Sequence, residues 1–376
     1  MIEFMTLSGF LGAGKTTTLV EVARRLRTNG ERVAVITNDQ GSDLVDTRLA
    51  RSASSEAGEV TGGCFCCRFD DLLDVARELI DNHRVETLLA EAVGSCADLQ
   101  ATVLRPLRRY YGDTFTAGSL MTVVDPERLA ALRETAAHNG DADLSYLFGK
   151  QLEEADVIAL NKIDLLDPDT IRDTLDDLHV RYPAATVVGY SARSGRGLDQ
   201  LMNAWLGEPP APRNVEIDYN RYARAEAALA WLNQTLVVRA DEGLDGDLWA
   251  RTLLEHLSRT ALRMGWTVGH AKVSLHAPGV LTRLSLTRAG GAPVADGPAP
   301  GPLPEAEARI NARVACKPGE LDEAVDAAVR EATEAAAAQV ERRAGERAFQ
   351  PAYPLPVHRL AAPDPSAPSC GCGGDC

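Results

Sequence analysis

The chain is 376 residues long, room for two domains, and its 45% hydrophobic and 25% charged residues describe an ordinary globular protein. A net charge of −15 argues against a nucleic-acid surface, which needs clustered Lys and Arg, and no apolar run reaches the ~18 residues of a membrane span. The eight cysteines are clustered and the first residues are needed as a strand rather than as a secretory signal, so a reducing cytosol with metal-binding or reactive thiols is the expected setting.

The apolar run 2–7 has strand length. It leads into Gly9-Phe-Leu-Gly12-Ala13-Gly14-Lys15-Thr16, after which Leu19, Val22, Ala23 and Leu26 recur at helical spacing. Strand, glycine loop and helix are the context of a phosphate-binding loop. There backbone N–H groups wrap the phosphates and the helix N-terminus adds partial positive charge. Lys15 would reach the β- and γ-phosphates, and the Thr16 hydroxyl would ligate magnesium. Gly9, Gly12, Ala13, Gly14, Lys15, Thr16 and Thr17 are thus expected to bind a nucleoside triphosphate.

Residues 33–38, 87–91, 120–125, 157–161 and 187–191 read as buried strands, separated by helical stretches such as 70–82 and 151–155. This alternation predicts an α/β domain with a mostly parallel sheet over residues 1–207, its ligand loops along one edge. The Pro-rich 208–222 reads as a linker. Residues 223–347 read as a smaller α+β domain, with strands expected at 223–239, 267–276, 281–287 and 309–315. Helices are expected at 247–264 and 320–343, and 289–304 as a mobile loop. The Pro-rich 348–376 is expected to stay disordered until something binds it. The Arg-rich stretches 105–109 and 342–347 read as solvated helix faces.

Asn161-Lys162-Ile163-Asp164 closes one strand, and Ser191-Ala192 closes the next. The Asp164 carboxylate would accept hydrogen bonds from guanine N1–H and its amine; opposite adenine it would stay unpaired. Asp39 and Glu91, leaving strands beside the phosphate loop, are candidates for magnesium contact and for orienting the attacking water, with helix capping or surface pairing as the plainer roles. The Gly94 N–H is placed to sense the γ-phosphate.

Gly63-Cys64-Phe65-Cys66-Cys67 puts three thiols within four residues, a soft donor set suited to zinc, copper(I) and similar ions. A Cys64–Cys66 redox pair is the rival reading. Cys96 is either a fourth ligand or, preferably, a buried thiol, and Cys316 reads as core. Cys370, Cys372 and Cys376 have metal-capturing spacing or are an incidental low-complexity end. His270 and His276 alternate with apolar residues and read as core or rim.

With the phosphate loop, Asn38–Gly41, Gly63–Cys67, Glu91–Gly94 and Asn161–Asp164 in this order, the chain resembles the CobW family of metal-chaperone GTPases, relatives of the urease and hydrogenase nickel-insertion GTPases. The resemblance covers residues 1 to about 206. It implies a SIMIBI-class P-loop fold, slow GTP hydrolysis with magnesium, and zinc or cobalt bound at Cys64, Cys66 and Cys67 for a metalloprotein or cofactor-enzyme client. Asp39 stands where that family usually has Glu, Asp98 where it usually has proline, and the usual histidine-rich stretch is missing. The expected protein is a GTPase with Lys15, Asp39 and Glu91 in catalysis, whose nucleotide state gates the metal. The alternative is a GTP-dependent assembly factor for a metallocofactor or corrinoid enzyme, with metal only structural. Neither a nucleic acid nor a membrane is an expected partner, and a homodimer is left open.

Overall fold

Seven parallel strands organise the first half of the chain in the computed structural model, which describes residues 1–38, 56–131, 143–296, 299, 301–345 and 347–362. The strands are β1 (Ile2–Gly9), β2 (Val33–Asn38), β3 (Ala57–Val60), β4 (Thr87–Glu91), β5 (Phe115–Val124), β6 (Val157–Leu160) and β7 (Thr186–Gly189). They lie in the order β3-β2-β4-β1-β5-β6-β7. The helices between them are α1 (Lys15–Thr28), α2 (Phe69–His83), α3 (Arg105–Tyr110), α4 (Asp143–Glu154), α5 (Pro168–Arg181) and α6 (Leu198–Trp205).

Both faces of this sheet are covered, which is why its strands read as continuous apolar runs. On one face Leu19, Val22 and Leu26 of α1 pack with Leu201 and Trp205 of α6 against Leu7 and Val123. On the other, Phe69, Leu72 and Leu73 of α2 meet Phe4, Ile36 and Leu88. Each such side chain contributes about 1.5–3 kcal/mol by leaving water. The register aligns Leu7 with Glu91 and Thr37 with Glu91, so the C-terminal ends of β1, β2 and β4 meet at one edge.

The second sheet is antiparallel, in the order β11-β10-β9-β12-β8-β13. It follows helix α7 (Tyr219–Ala227) and comprises β8 (Ala230–Leu244), β9 (Val268–Ala277), β10 (Val280–Leu286), β11 (Val294–Ala295), β12 (Leu303–Val314) and β13 (Gln339–Gly345). Helices α8 (Gly246–Met264) and α9 (Pro318–Ala335) supply Trp249, Leu253, Leu257, Leu321 and Val325 to the core shared with one face of that sheet.

Several elements differ from the sequence reading. Residues 219–227 form a helix, not the start of a strand, because Asp218 caps it by accepting the Asn220 and Arg221 N–H groups while Tyr222, Ala225 and Glu226 turn inward. The predicted helix 320–343 stops at Ala335, Ala337 takes a positive φ of 46°, and residues 339–345 pair with β8 as an edge strand. Local alanine-rich helix propensity yields there to sheet pairing. Residues 289–304 contain β11 and the start of β12 rather than loop alone, and the short edge strand β3 had no sequence signal.

Arg105 and Arg108 are not solvated. Arg105 donates to the carbonyls of Arg213 and Leu360 and to Asn214 Oδ1, and Arg108 to those of Ala117 and Gly118. Residues 342–345 are strand, not helix face, and Arg342 pairs with Asp326 at 2.7 Å. Cys316 is half-buried against the second core. The segment 348–362, expected to be disordered, runs back across the first domain; Cys370, Cys372 and Cys376 lie outside the described residues. No helix among the described residues is long and apolar enough to cross a membrane.

A candidate nucleotide site joined to a thiolate cluster

Gly14 enters α1 from the left-handed region, with φ 94°, and a Cβ there would collide with the Asn161 amide nitrogen. Only glycine fits both constraints. Gly9 is also at positive φ, 134°, and a Cβ would strike the Val123 carbonyl; its contribution is close packing on β5. A cavity of about 550 Å³ opens above this loop, within the ~300–1,000 Å³ of small-molecule sites.

Of the expected binding residues, Gly12, Gly14, Lys15, Thr16, Thr17, Glu91, Gly94, Asn161, Lys162, Asp164, Ser191 and Ala192 line the cavity, whereas Gly9 and Ala13 do not. Lys15 is 7% exposed and sits 3.9 Å from Glu91 Oε1. The Thr16 hydroxyl donates to the same oxygen at 3.0 Å. This hydroxyl and carboxylate are hard oxygen donors beside the phosphate loop, the donor set magnesium takes, so the residues fit that ion. Asp39, named with them from the sequence, lies outside the described residues.

The Asn-Lys-x-Asp stretch divides its labour. Asn161 donates to the Ala13 carbonyl at 3.0 Å and accepts the Ala192 N–H at 3.0 Å. Lys162 pairs with Asp125 at 2.6 Å and donates to the Gly12 carbonyl at 3.0 Å. These two residues tie the phosphate loop to β5 and β7, leaving the Asp164 carboxylate on the cavity wall.

The cysteine motif follows β3 as a turn closed by the Cys67 and Arg68 N–H groups on the Cys64 carbonyl, at 3.0 and 2.9 Å. Its sulfurs converge: Cys64 and Cys66 at 2.8 Å, Cys64 and Cys67 at 3.4 Å, Cys66 and Cys67 at 3.7 Å. All three thiols are free. Sulfurs about 2.3 Å from one tetrahedral zinc stand about 3.8 Å apart, so a small spreading would admit such an ion.

Hydrogen bonding with Cys66, Cys67 and Cys96 holds the Cys64 thiol well below the ordinary thiol range. The hydrogen bond with Cys64, together with burial, pushes Cys67 up to about 11 and Cys66 upward. Cys96 is fully buried, as the sequence favoured, yet it reaches Cys64 from the loop after β4. Glu226 of α7 lies beneath, its carboxyl raised to about 8 by burial and by the Cys64 charge, with Ser95 donating to it at 2.6 Å.

Three site features escaped the sequence reading. Asn38, the last residue of β2, lines the nucleotide cavity and also holds the cysteine turn: it donates to the carbonyls of Val60 and Gly63 at 3.0 and 2.8 Å and accepts the Phe65 N–H at 2.9 Å. A strap, residues 353–362, crosses the cysteine turn, with the Leu355 N–H donating to Cys67 Sγ at 3.3 Å and the Val357 N–H to the Cys66 carbonyl at 2.8 Å. Asp98 anchors it, accepting from Arg359 at 2.6 Å and from the Tyr219 hydroxyl at 2.8 Å. The unusual Asp98 was the one available signal. Lastly, His270 lines the cavity together with Lys272, Arg283 and Arg313 of the second sheet.

Fold and site together define a P-loop nucleotide-binding domain carrying three converging thiols that could hold a metal ion. Residues 3–188 match the model of the CobW/HypB/UreG nucleotide-binding domain, and this domain of the chain belongs to that family. The chain is 28% identical over 206 residues to the zinc chaperone CobW of Sinorhizobium sp, covering 48% of this chain and 56% of that one. It is 29% identical over 224 residues to the zinc chaperone CobW of Pseudomonas aeruginosa, covering 52% and 58%. The match thus spans little over half the length of these relatives. Among solved structures, HypB from Helicobacter pylori in complex with nickel superposes with a TM-score of 0.39 at 16% identity, covering 55% of this chain and 86% of that one.

Proposed function

We propose that the protein is a GTP-hydrolysing metallochaperone whose nucleotide state sets the affinity of Cys64, Cys66 and Cys67 for zinc, released to a metalloprotein or cofactor-enzyme client. Zinc is favoured by the thiolate donor set and by the names of the related chaperones. Cobalt(II) is accepted by the same donors. The observation that carries this reading is Asn38, one side chain bounding the nucleotide cavity and holding the cysteine turn.

The phosphate loop N–H groups and Lys15 hold the triphosphate, and Asp164 reads guanine. Thr16 and Glu91 would hold magnesium, which supplies charge neutralisation on the phosphates when bound. Glu91 orients the water that attacks the γ-phosphorus as the bond to the β-phosphate oxygen breaks. Contacts of the γ-phosphate with the Gly94 N–H and the end of β2 shift Asn38, and Asn38 sets the spread of the three sulfurs. A coupling of ~1–3 kcal/mol changes metal affinity 5–150-fold and acts equally in reverse.

The test is the zinc and cobalt(II) affinity of reduced protein, by chelator competition, with magnesium and either GDP or a non-hydrolysable GTP analogue. Tighter binding in the GTP state, lost in Cys66→Ser while nucleotide binding persists, is the expected result. Equal affinities in the two states would remove the gating.

A further inference from the structure

One face of the second sheet is apolar and packed, but its other face is polar and largely withdrawn from solvent as well. Alternation along β9 sends Ala271, Val273 and Leu275 into the core and His270, Lys272 and Ser274 to the opposite side. The register sets Arg313 opposite His270, Asn311 opposite Lys272, and Ser285 beside Lys272. Arg313 is fully buried and stacks over Trp231 at 4.0 Å, while His270 and Asn311 hydrogen-bond each other at 2.6 Å. In a chain of net charge −15, cations gathered on one withdrawn face are a local feature rather than a reflection of composition.

This face is directed at the nucleotide site. His270, Lys272, Arg283, Ser285 and Arg313 line the same cavity as Lys15, Thr16 and Gly94. The docking is tight where β9 and β10 meet the phosphate loop. Arg128 donates to the carbonyls of Val268, Gly269 and Thr287 at 2.9, 2.8 and 2.6 Å. A Cβ on Gly12 would lie 2.9 Å from Thr287 Cγ2, and one on Gly269 2.8 Å from Leu11 Cδ1. The start of β9 therefore rests on the phosphate loop itself, and Lys272 stands three residues along that strand, ~10 Å by the rise of a β-strand, on the wall of the same cavity.

Lys272 and Arg283, the latter paired with Asp296 at 3.1 Å, bring positive charge to a cavity whose other wall is the phosphate loop. A ligand with several negative charges suits both walls. We propose that the second sheet is a cationic cover for the bound nucleotide, with Lys272 contacting the polyphosphate in cis and Arg283 reinforcing it. A triphosphate carries more charge than a diphosphate, so the cover grips GTP more firmly than GDP and the second domain reads the nucleotide state. This inference rests on the nucleotide-binding reading above, and it assigns to the second domain a part in recognition.

The test measures the affinity of the full chain, with magnesium, for GDP and for a non-hydrolysable GTP analogue, by displacement of a fluorescent nucleotide. Lys272→Gln and Arg283→Gln are compared with wild type, with Lys272→Arg as the charge-keeping control. Loss of one charge-assisted contact is expected to weaken the analogue by about tenfold or more, with less effect on GDP and recovery in Lys272→Arg. The loss should shrink in high salt. Wild-type affinity for both nucleotides in Lys272→Gln and Arg283→Gln would overturn the cover and leave the nucleotide reading standing. A wild type that binds neither nucleotide would overturn the nucleotide reading, and the cover with it. If Lys272→Gln fails to fold, Arg283→Gln decides.

Discussion

The side-chain oxygen of Asn38 accepts the backbone N–H of Phe65 at 2.9 Å, so the end of a strand bounding the nucleotide cavity grips the middle of the cysteine turn. The same amide donates to the Gly63 carbonyl at 2.8 Å, which fixes both sides of the turn ahead of Cys66. Between the two sites no longer relay is required: one residue is shared.

Asn38→Ala is therefore expected to separate them. Three hydrogen bonds are lost and buried backbone groups are left without that partner, a cost of roughly 1–3 kcal/mol in stability. Nucleotide affinity should change little, while the difference in zinc affinity between GDP and GTP-analogue states disappears. Chelator competition in both states checks this, and a surviving difference would rule out Asn38 as the coupling element.

The strap should act as a cover for Cys67. Arg359 pairs with Asp98, which is nearly fully buried, and the Leu355 N–H rests on the Cys67 sulfur. Arg359→Ala leaves the Asp98 carboxylate with weaker compensation and loosens the strap by roughly 1–3 kcal/mol. Alkylation of Cys67 in metal-free protein, followed by mass spectrometry, should quicken by about tenfold. An unchanged rate would show that the strap does not limit access.

Glu226 makes stability depend on pH. Its carboxyl is raised to about 8 by burial and then by the Cys64 charge, above an unfolded value of 4.5. The folded state therefore binds the proton more tightly than the unfolded chain. The contribution is fully present below pH ~4.5 and is lost as pH climbs through about 8. Glu226→Gln should raise the melting temperature of metal-free protein more at pH 8.5 than at pH 5. Equal shifts at the two pH values would exclude this ionisation as the cause.

What the sequence determined by itself was the chemistry of contiguous motifs. The phosphate loop, Asn161–Asp164 and Cys64–Cys67 each need neighbouring residues on one loop, and short-range geometry is written in adjacent positions. The parallel sheet was legible for a related reason, since strands buried on both faces leave unbroken apolar runs at β2 and β4.

Only the tertiary structure decided which distant residues join those motifs. Cys96 reaches Cys64 because β4 lies between β2 and β1, and the polar positions of β9 announce a second face without saying that a nucleotide cavity lies opposite. Asp98 and Arg359, separated by 261 residues, form the anchor that turns a Pro-rich tail into a strap. Sheet order and domain docking arise from the summed packing of many side chains, and no local pattern carries that sum.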